Sequence, residues 1–230
     1  MTRKTIVMLF IMLSYKTFSQ TIINKKLGDF STLKVYNGIE VLLVKSNEQK
    51  LEIKGEKSEK VKTKNVNGVL KLSLPFSLKP EENFANGKVL IILYYNTNID
   101  IIDANEGATI KGEGFKQTKL KVNSQERAFI DLALQVTHLN VRASSGGIIK
   151  LTGSSESQEV DIDLYGVYQG FDMKVKGNSN VFSGTGAKAE ISTGKTLNAK
   201  VSFGGSIFYK GSPEVKKNKK VIGGIIQRRN

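Results

Sequence analysis

The sequence predicts an all-β protein whose second half is a β-solenoid. A short motif of small and apolar residues recurs with its central isoleucines at Ile110, Ile130 and Ile149. A step of about twenty residues is typical of stacked coils. Apolar and polar residues alternate over short segments nearly everywhere, and no window keeps the 3.6-residue period of a helix. Glycine pairs such as Gly146 and Gly147 predict tight corners, because glycine adopts positive φ without strain.

Residues 1–20 have the composition of a secretory signal peptide. Arg3 and Lys4 precede an apolar stretch at 6–13, and a more polar segment follows up to Gln20. An uncleaved anchor is the alternative, but the apolar stretch is too short to span a bilayer. No later stretch is long and apolar enough to be a transmembrane segment. The sequence therefore predicts export, with residues 1–20 removed.

The composition limits the chemistry of the chain. Its 230 residues contain no cysteine, which excludes disulfides, zinc thiolate sites and a lipidated cysteine anchor. Lysine and arginine number 35 against 21 acidic residues, so anionic surfaces attract the chain. Most lysines are scattered along alternating strands, where they favour solubility and discourage aggregation at strand edges. The exception is a basic C-terminal tail, predicted at 215–230.

The N-terminal half, about 28–104, is predicted to be a β-meander that includes a hairpin. Alternating segments at 33–36, 39–44 and 50–54 are separated by turn residues. They predict three short strands that follow one another along the chain.

The hairpin is predicted around Asn67 and Gly68. These residues separate two alternating runs, 61–66 and 69–74, and Asn-Gly in this context is the strongest local hairpin signal. The segment that follows, 75–87, contains two prolines and several turn-forming residues. It is predicted to be a mobile excursion loop.

Solenoid coils are predicted at about 105–212, within a single domain at 21–226. Each unit pairs a short strand such as that around Ile110 with a second strand. A unit this short cannot bury its own apolar face, so it must stack on its neighbours. The repeat is irregular between Tyr165 and Lys174, where a different sequence replaces the recurring motif of small and apolar residues.

Three stretches resemble a known family. They are the segment from Gly28 to Val41, the hairpin from Asn65 to Leu72, and the ending from Gly204 to Pro213. The chain is similar over about 27–226 to the GIN domain, named as the head of auto-transporter adhesins and common in secreted proteins of Bacteroidetes-type bacteria. The resemblance implies a right-handed parallel β-helix-like fold and export beyond the inner membrane. It implies no established enzymatic activity or site.

Groups suited to catalysis or metal binding are sparse. His138 is the only histidine, which excludes metal sites with several histidines. Asp161 and Asp163 lie two apart on a predicted strand and could form a glycosidase pair or a calcium site. A solvated strand face is the favoured interpretation for this pair. We predict no catalytic residue, no cofactor and no metal ligand.

Aromatic residues are the best indication of binding. Tyr165, Tyr168 and Phe171 cluster in the irregular unit and are candidate ligand contacts, because exposed rings in extracellular β-proteins stack on sugars. A second aromatic cluster lies at 203–209. The alternative is that these rings form a ladder inside the solenoid or a cap over its last coil.

The function predicted from the sequence is that of an exported, non-enzymatic interaction or adhesion module at the cell envelope. Its partner would be an envelope or extracellular glycan or protein, and no specific nucleic acid is expected. The location would be the periplasm, the outer cell surface or the medium. Two alternatives stay open: a carbohydrate-active enzyme, by fold analogy alone, and a structural protein that binds anionic envelope polysaccharide through its lysines.

Overall fold

The computed structural model describes residues 22–230 and forms a β-solenoid of about 7 turns. Strands make up 60% of the structure and helix 3%, so the predicted all-β solenoid is confirmed. The predicted signal peptide at 1–20 lies outside the described residues. Within 22–230, no helix has the length and apolar character needed to cross a membrane.

The described part of the chain contains nineteen strands in a single continuous sheet. Two 3-10 turns, Ser58–Lys60 and Pro80–Glu82, interrupt the N-terminal half. The strands are β1 (Ile23–Lys26), β2 (Thr32–Val35), β3 (Glu40–Lys45), β4 (Lys50–Lys54), β5 (Lys62–Val66), β6 (Val69–Ser73), β7 (Leu90–Tyr95), β8 (Ile101–Ala104), β9 (Thr109–Ser124), β10 (Phe129–Ala143), β11 (Ile148–Ile162), β12 (Val167–Gly170), β13 (Met173–Val175), β14 (Asn178–Ser183), β15 (Lys188–Ser192), β16 (Thr196–Ser202), β17 (Ser206–Lys210), β18 (Val215–Val221) and β19 (Ile225–Arg228).

Parallel ladders define two main faces of the solenoid. Face A stacks β2, β8, the C-terminal parts of β9, β10 and β11, then β14, β16 and β18. Face B stacks β3, the N-terminal parts of β9, β10 and β11, then β12, β15, β17 and β19. A short face C includes β13, which pairs with the middle of β11.

The ladder register confirms the coil repeat predicted from the isoleucines. Ile110 pairs with Ile130, and Ile130 pairs with Ile149. The same inward column continues through Tyr168 and Ala189. These side chains are fully buried, because alternate residues of each strand point into the coil. The core is therefore a column of stacked side chains that runs along the solenoid.

The N-terminal half is hydrogen-bonded differently from the predicted meander. The hairpin of β5 and β6 is confirmed, with Asn67 and Gly68 both at positive φ. However, β2, β3 and β4 do not pair with one another in sequence order. β2 and β3 pair in parallel with β8 and β9, so they belong to the stack, while β4 pairs antiparallel with β7 and β1. Alternate residues of β2 and β3 are buried, and stacking on β8 and β9 covers these inward apolar side chains, which favours the long-range ladders over sequential pairing.

The C-terminal end of the stack extends past the predicted limit at 212. β18 and β19, which include most of the predicted basic tail, form the last coil. Lys216 and Lys220 stand opposite the buried Leu197 and Val201 of the preceding coil. Lysines fit these positions because no further strand is stacked on β18 among residues 22–230, and lysines on an edge strand discourage end-to-end aggregation.

Candidate functional site

Face A meets face B at a corner that every coil repeats, here called the AB corner. Its turns close by hydrogen bonds from the fourth residue to the first, as in 36–39, 105–108, 144–147 and 202–205. In these four turns both central residues have positive φ. That is the conformation of a type I′ turn, which favours Asn-Gly.

Successive AB corners are also bonded to one another. The amide of Gly146 donates to the carbonyl of Leu164 at 3.0 Å, and the amide of Tyr165 donates to the carbonyl of Thr185 at 2.9 Å. The amide of Gly186 donates in turn to the carbonyl of Phe203 at 3.2 Å. The corner is therefore a continuous ladder, with one coil every ~4.8 Å.

Four large apolar side chains project from the AB corner in the C-terminal half of the stack. Leu164, Tyr165, Phe203 and Ile222 have exposed fractions of 49%, 69%, 58% and 68%. Leu164 and Ile222 are three coil steps apart, or roughly 14 Å. We call this group the apolar corner. Earlier coils carry polar residues at the same positions, such as Glu126.

All four residues of the apolar corner have positive φ, between 46° and 63°. Bulky residues rarely adopt this conformation, and it costs about 1–2 kcal/mol per residue. The turn formed by Leu164 and Tyr165 has no glycine at either central position, unlike an Asn-Gly turn. These large apolar side chains are thus exposed to water, at turn positions whose backbone conformation disfavours bulky residues.

Asp163 and Gly186 hold the apolar corner in place. The Asp163 carboxylate oxygen Oδ1 accepts hydrogen bonds from the amides of Leu164 at 2.8 Å and Thr185 at 2.7 Å. The ring of Tyr165 lies over Gly186, where a Cβ atom would be 2.6 Å from the ring. The ring therefore rests on the next corner of the stack.

Tyr168 is completely buried, so it is a core residue and not a ligand contact as the sequence suggested. Its neighbours in the inward column are Ile149 and the small Ala189. Its own ring occupies the space that a Cβ at Gly170 would need. The hydroxyl donates to Oε1 of buried Gln158 at 3.4 Å. Burial raises the pKa of Tyr168 because the phenolate would be desolvated.

Phe171 lies at the far end of β12 from Tyr165, so the three predicted contact residues do not form one platform. Phe171 is half-buried. The ammonium of Lys210 lies 5.1 Å from the centre of its ring, a cation–π distance. Of the three residues, Tyr165 alone has a largely exposed ring.

Asp161 and Asp163 are held by separate partners. Asp161 forms an ion pair with Arg142 at 2.8 Å across one coil step, while Asp163 binds backbone amides of the corner. His138 is exposed, and its Nδ1 is 2.9 Å from the hydroxyl of Ser157. Among residues 22–230, no group of three or more histidine or acidic residues is arranged to hold a metal ion.

Two shallow concavities lie on the faces. One, of about 580 Å³, is lined by residues that include Leu42, Lys111 and Asp131. The other, of about 460 Å³, lies on face A and is lined by residues that include His138 and Asn140. Asn140 donates to Glu159 at 3.2 Å from one coil to the next. Polar side chains on this face thus bond to one another along the stack.

Lysines without an acidic partner lie near the apolar corner on face A, and the ammonium of one of them, Lys200, is 5.4 Å from the centre of the Phe182 ring. Lys200 and Lys219 follow one another in a ladder and precede Phe203 and Ile222 by three residues. Lys217 lies on the same strand as Lys219. Within the described chain, none of these three lysines has an acidic partner within 4 Å. The C-terminal half of the edge is therefore both apolar and positively charged.

Sequence reasoning did not identify Leu164 and Ile222 as surface residues. A signal was present, because Phe203-Gly204 and Ile222-Gly223 occupy corner positions where Asn-Gly is typical. An alignment of the corners of all coils places these bulky residues at turn positions, and so predicts that they lie at the surface. The ladder register needed for that alignment becomes irregular at 165–174.

Comparisons with known proteins agree with this fold. A family model described as "Putative auto-transporter adhesin, head GIN domain" matches residues 29–213. No curated protein matches the chain. Three crystal structures are similar, each covering 93% of this chain and 98% of its own.

The first of these structures is "a putative adhesin" from Bacteroides fragilis NCTC 9343, at 19% identity and a TM-score of 0.78. The second is "a putative adhesin" from Parabacteroides merdae ATCC 43184, at 18% identity and a TM-score of 0.68. The third is a "Putative lipid binding protein" from Parabacteroides distasonis ATCC 8503, at 16% identity and a TM-score of 0.66. At these identities the likeness shows the fold alone.

Proposed function

Because this chain belongs to the GIN-domain family of auto-transporter adhesin heads, we propose that it is an exported interaction module that binds a partner at the cell envelope without catalysing a reaction. Export rests on the leader-like composition of residues 1–20. The site of action would be the periplasm, the outer surface or the medium. The partner would be a component of the envelope or of the surroundings.

The apolar corner is the observation that carries this proposal. Leu164, Tyr165, Phe203 and Ile222 are exposed at positions where turn geometry favours Asn-Gly. Retaining strained, exposed apolar residues lowers the stability of the free protein. Such strain is typical of functional sites, and exposed apolar patches mark interaction surfaces.

The test is sedimentation of the purified protein, lacking residues 1–20, with isolated cell envelopes. The matched variant combines Tyr165→Gly with Phe203→Asn, which suit the turn and leave the coil stack intact. We expect saturable binding by the parent protein and its loss in the variant. Equal binding by both proteins would contradict the assignment of this surface.

The alternative of a structural protein that binds anionic polysaccharide is favoured by the unpaired lysines Lys200, Lys217 and Lys219. This alternative predicts a different result in the same experiment. Binding through charge alone would survive in the corner variant and disappear at high salt.

A further inference from the structure

We infer that the apolar corner inserts into the interfacial region of an anionic lipid bilayer. The inference rests on the proposed function and names the partner of the same surface. Three properties of the corner support it: its shape, its chemistry and the charge around it.

The shape of the apolar corner fits a deformable partner. The corner is a convex edge of the solenoid, with side chains in a row roughly 14 Å long. Four partly exposed side chains of this size offer about 400 Å², around half of the area per partner in a stable protein complex. A second copy of the chain would also need a groove complementary to this edge. A bilayer needs no groove, because lipids rearrange around the inserted side chains.

The chemistry of the side chains suits the depth of the bilayer interface. Leu164, Phe203 and Ile222 are purely apolar, and Tyr165 carries a polar hydroxyl on an apolar ring. Tyrosine is enriched at membrane interfaces because its ring lies among the lipid chains while its hydroxyl reaches the headgroups. Apolar side chains on an edge contribute to binding in proportion to the area that they bury.

The charge around the corner favours an anionic surface. Lys200 and Lys219 precede the corner residues Phe203 and Ile222 by three positions, and Lys217 lies two residues before Lys219 on β18. None of the three lysines has an acidic partner among residues 22–230. The nearby acids Asp161 and Glu190 are paired with Arg142 and Lys188. Asp163, at the corner itself, carries the one nearby carboxylate that is bonded to backbone amides and not to a cation among residues 22–230. Each lysine near an anionic leaflet strengthens binding by about fivefold.

A second exposed apolar segment provides an internal control. Phe76 and Leu78 lie in the loop before β7 and are 82% and 92% exposed. Their surroundings differ in charge, since Glu82 of the same loop pairs with Lys60 and Lys79. The loop therefore has more exposed apolar surface per residue than the corner, but lacks its row of unpaired lysines.

The first experiment measures sedimentation with vesicles of phosphatidylcholine and phosphatidylglycerol in equal parts, and with vesicles of phosphatidylcholine alone. We expect the parent protein to bind the mixed vesicles. The corner variant, Tyr165→Gly with Phe203→Asn, should bind about tenfold or more weakly. A charge variant, Lys217→Gln with Lys219→Gln, should also bind more weakly. The loop variant, Phe76→Ser with Leu78→Ser, should bind like the parent.

The second experiment uses tryptophan as a reporter, because the chain contains none. Emission from a Phe203→Trp protein should shift to shorter wavelength when mixed vesicles are added. Emission from a Phe76→Trp protein should stay unchanged. The pair of variants locates the inserted surface without depending on affinity.

Three results would overturn the lipid inference: no binding to mixed vesicles, equal loss in the loop and corner variants, or no emission shift at position 203. Binding to cell envelopes that depends on the corner, together with no binding to vesicles, would leave the proposed function standing and exclude the lipid partner. Equal envelope binding by the parent and the corner variant would instead contradict the assignment of the corner as the binding surface, on which both proposals rest.

Discussion

The ring of Tyr165 covers Gly186 of the following coil, so a Cβ atom at position 186 would lie 2.6 Å from the ring. Both residues occupy the second central position of their corner turns. The glycine thus provides room for an aromatic side chain that belongs to a different coil, which couples neighbouring corners along the edge.

We expect Gly186→Ala to lower the free energy of unfolding more than Gly204→Ala. Both glycines have positive φ, so each alanine should cost about 1–2 kcal/mol from backbone strain. A Cβ at Gly204 meets no atom within 4 Å, whereas one at Gly186 displaces Tyr165 at a further cost of about 1 kcal/mol. Denaturant unfolding of the two variants measures the difference. It should disappear in a Tyr165→Gly background, and its persistence there would contradict the role of the ring.

Replacing the strained turn with residues that suit it should stabilise the protein. The variant Leu164→Asn with Tyr165→Gly gives the corner an Asn-Gly pair, as at the unstrained corner of Asn37 and Gly38. We expect the free energy of unfolding to rise by about 1–3 kcal/mol. Asn and Gly adopt the left-handed conformation of this turn with less strain than the bulky residues they replace. Thermal unfolding with denaturant titration checks this. A less stable variant would show that the packing of these side chains outweighs their backbone strain.

Asp163 should matter more for stability than Asp161, although both were candidates for the same carboxylate pair. Asp163→Ala leaves two corner amides without their charged acceptor and should cost about 2 kcal/mol. Asp161→Ala breaks an exposed ion pair with Arg142 and should cost less than about 1 kcal/mol. The control is Asp163→Asn, which keeps an acceptor oxygen and should fall between these values. The reverse order in chemical denaturation would contradict this assignment.

Local signals predicted the parts of the fold that local interactions determine. Asn67 and Gly68 form the predicted hairpin because a type I′ turn depends on two adjacent residues. The step between Ile110 and Ile130 predicted stacking because the coil length is constant there. The pairing of β2 with β8 could not be predicted in this way. The two strands are separated by a hairpin and a long loop, and only burial in the finished stack selects them.

The candidate site was harder to predict because neighbouring coils determine which way its residues point. Tyr168 fits inside the coil since Ala189 and Gly170 leave space for its ring. Leu164 adopts a conformation that its own propensity disfavours, while the corner ladder bonds its carbonyl to Gly146. In both cases a contact about twenty residues away overrides the local preference.

The buried hydroxyl of Tyr168 should make the protein less stable at alkaline pH. The pKa of Tyr168 is raised in the folded state, whereas the unfolded chain should ionise near the ordinary value of about 10. Below that pH both states keep the proton, and the stability is fully present. As the pH rises above about 10, the unfolded state loses its proton first, so the free energy of unfolding falls.

The variant Tyr168→Phe should remove this contribution. At neutral pH it should change stability by only about 1 kcal/mol, because the hydrogen bond to Gln158 is long at 3.4 Å. Its unfolding free energy should then fall less steeply than that of the parent between about pH 9 and about pH 11. The matched control is Tyr165→Phe, which removes the hydroxyl of an exposed tyrosine and leaves Tyr168 in place. Tyr36 and Tyr95, whose pKa values are also raised by burial, contribute equally to all three proteins. Parallel pH profiles for the parent and Tyr168→Phe would contradict the assignment of the alkaline loss to Tyr168.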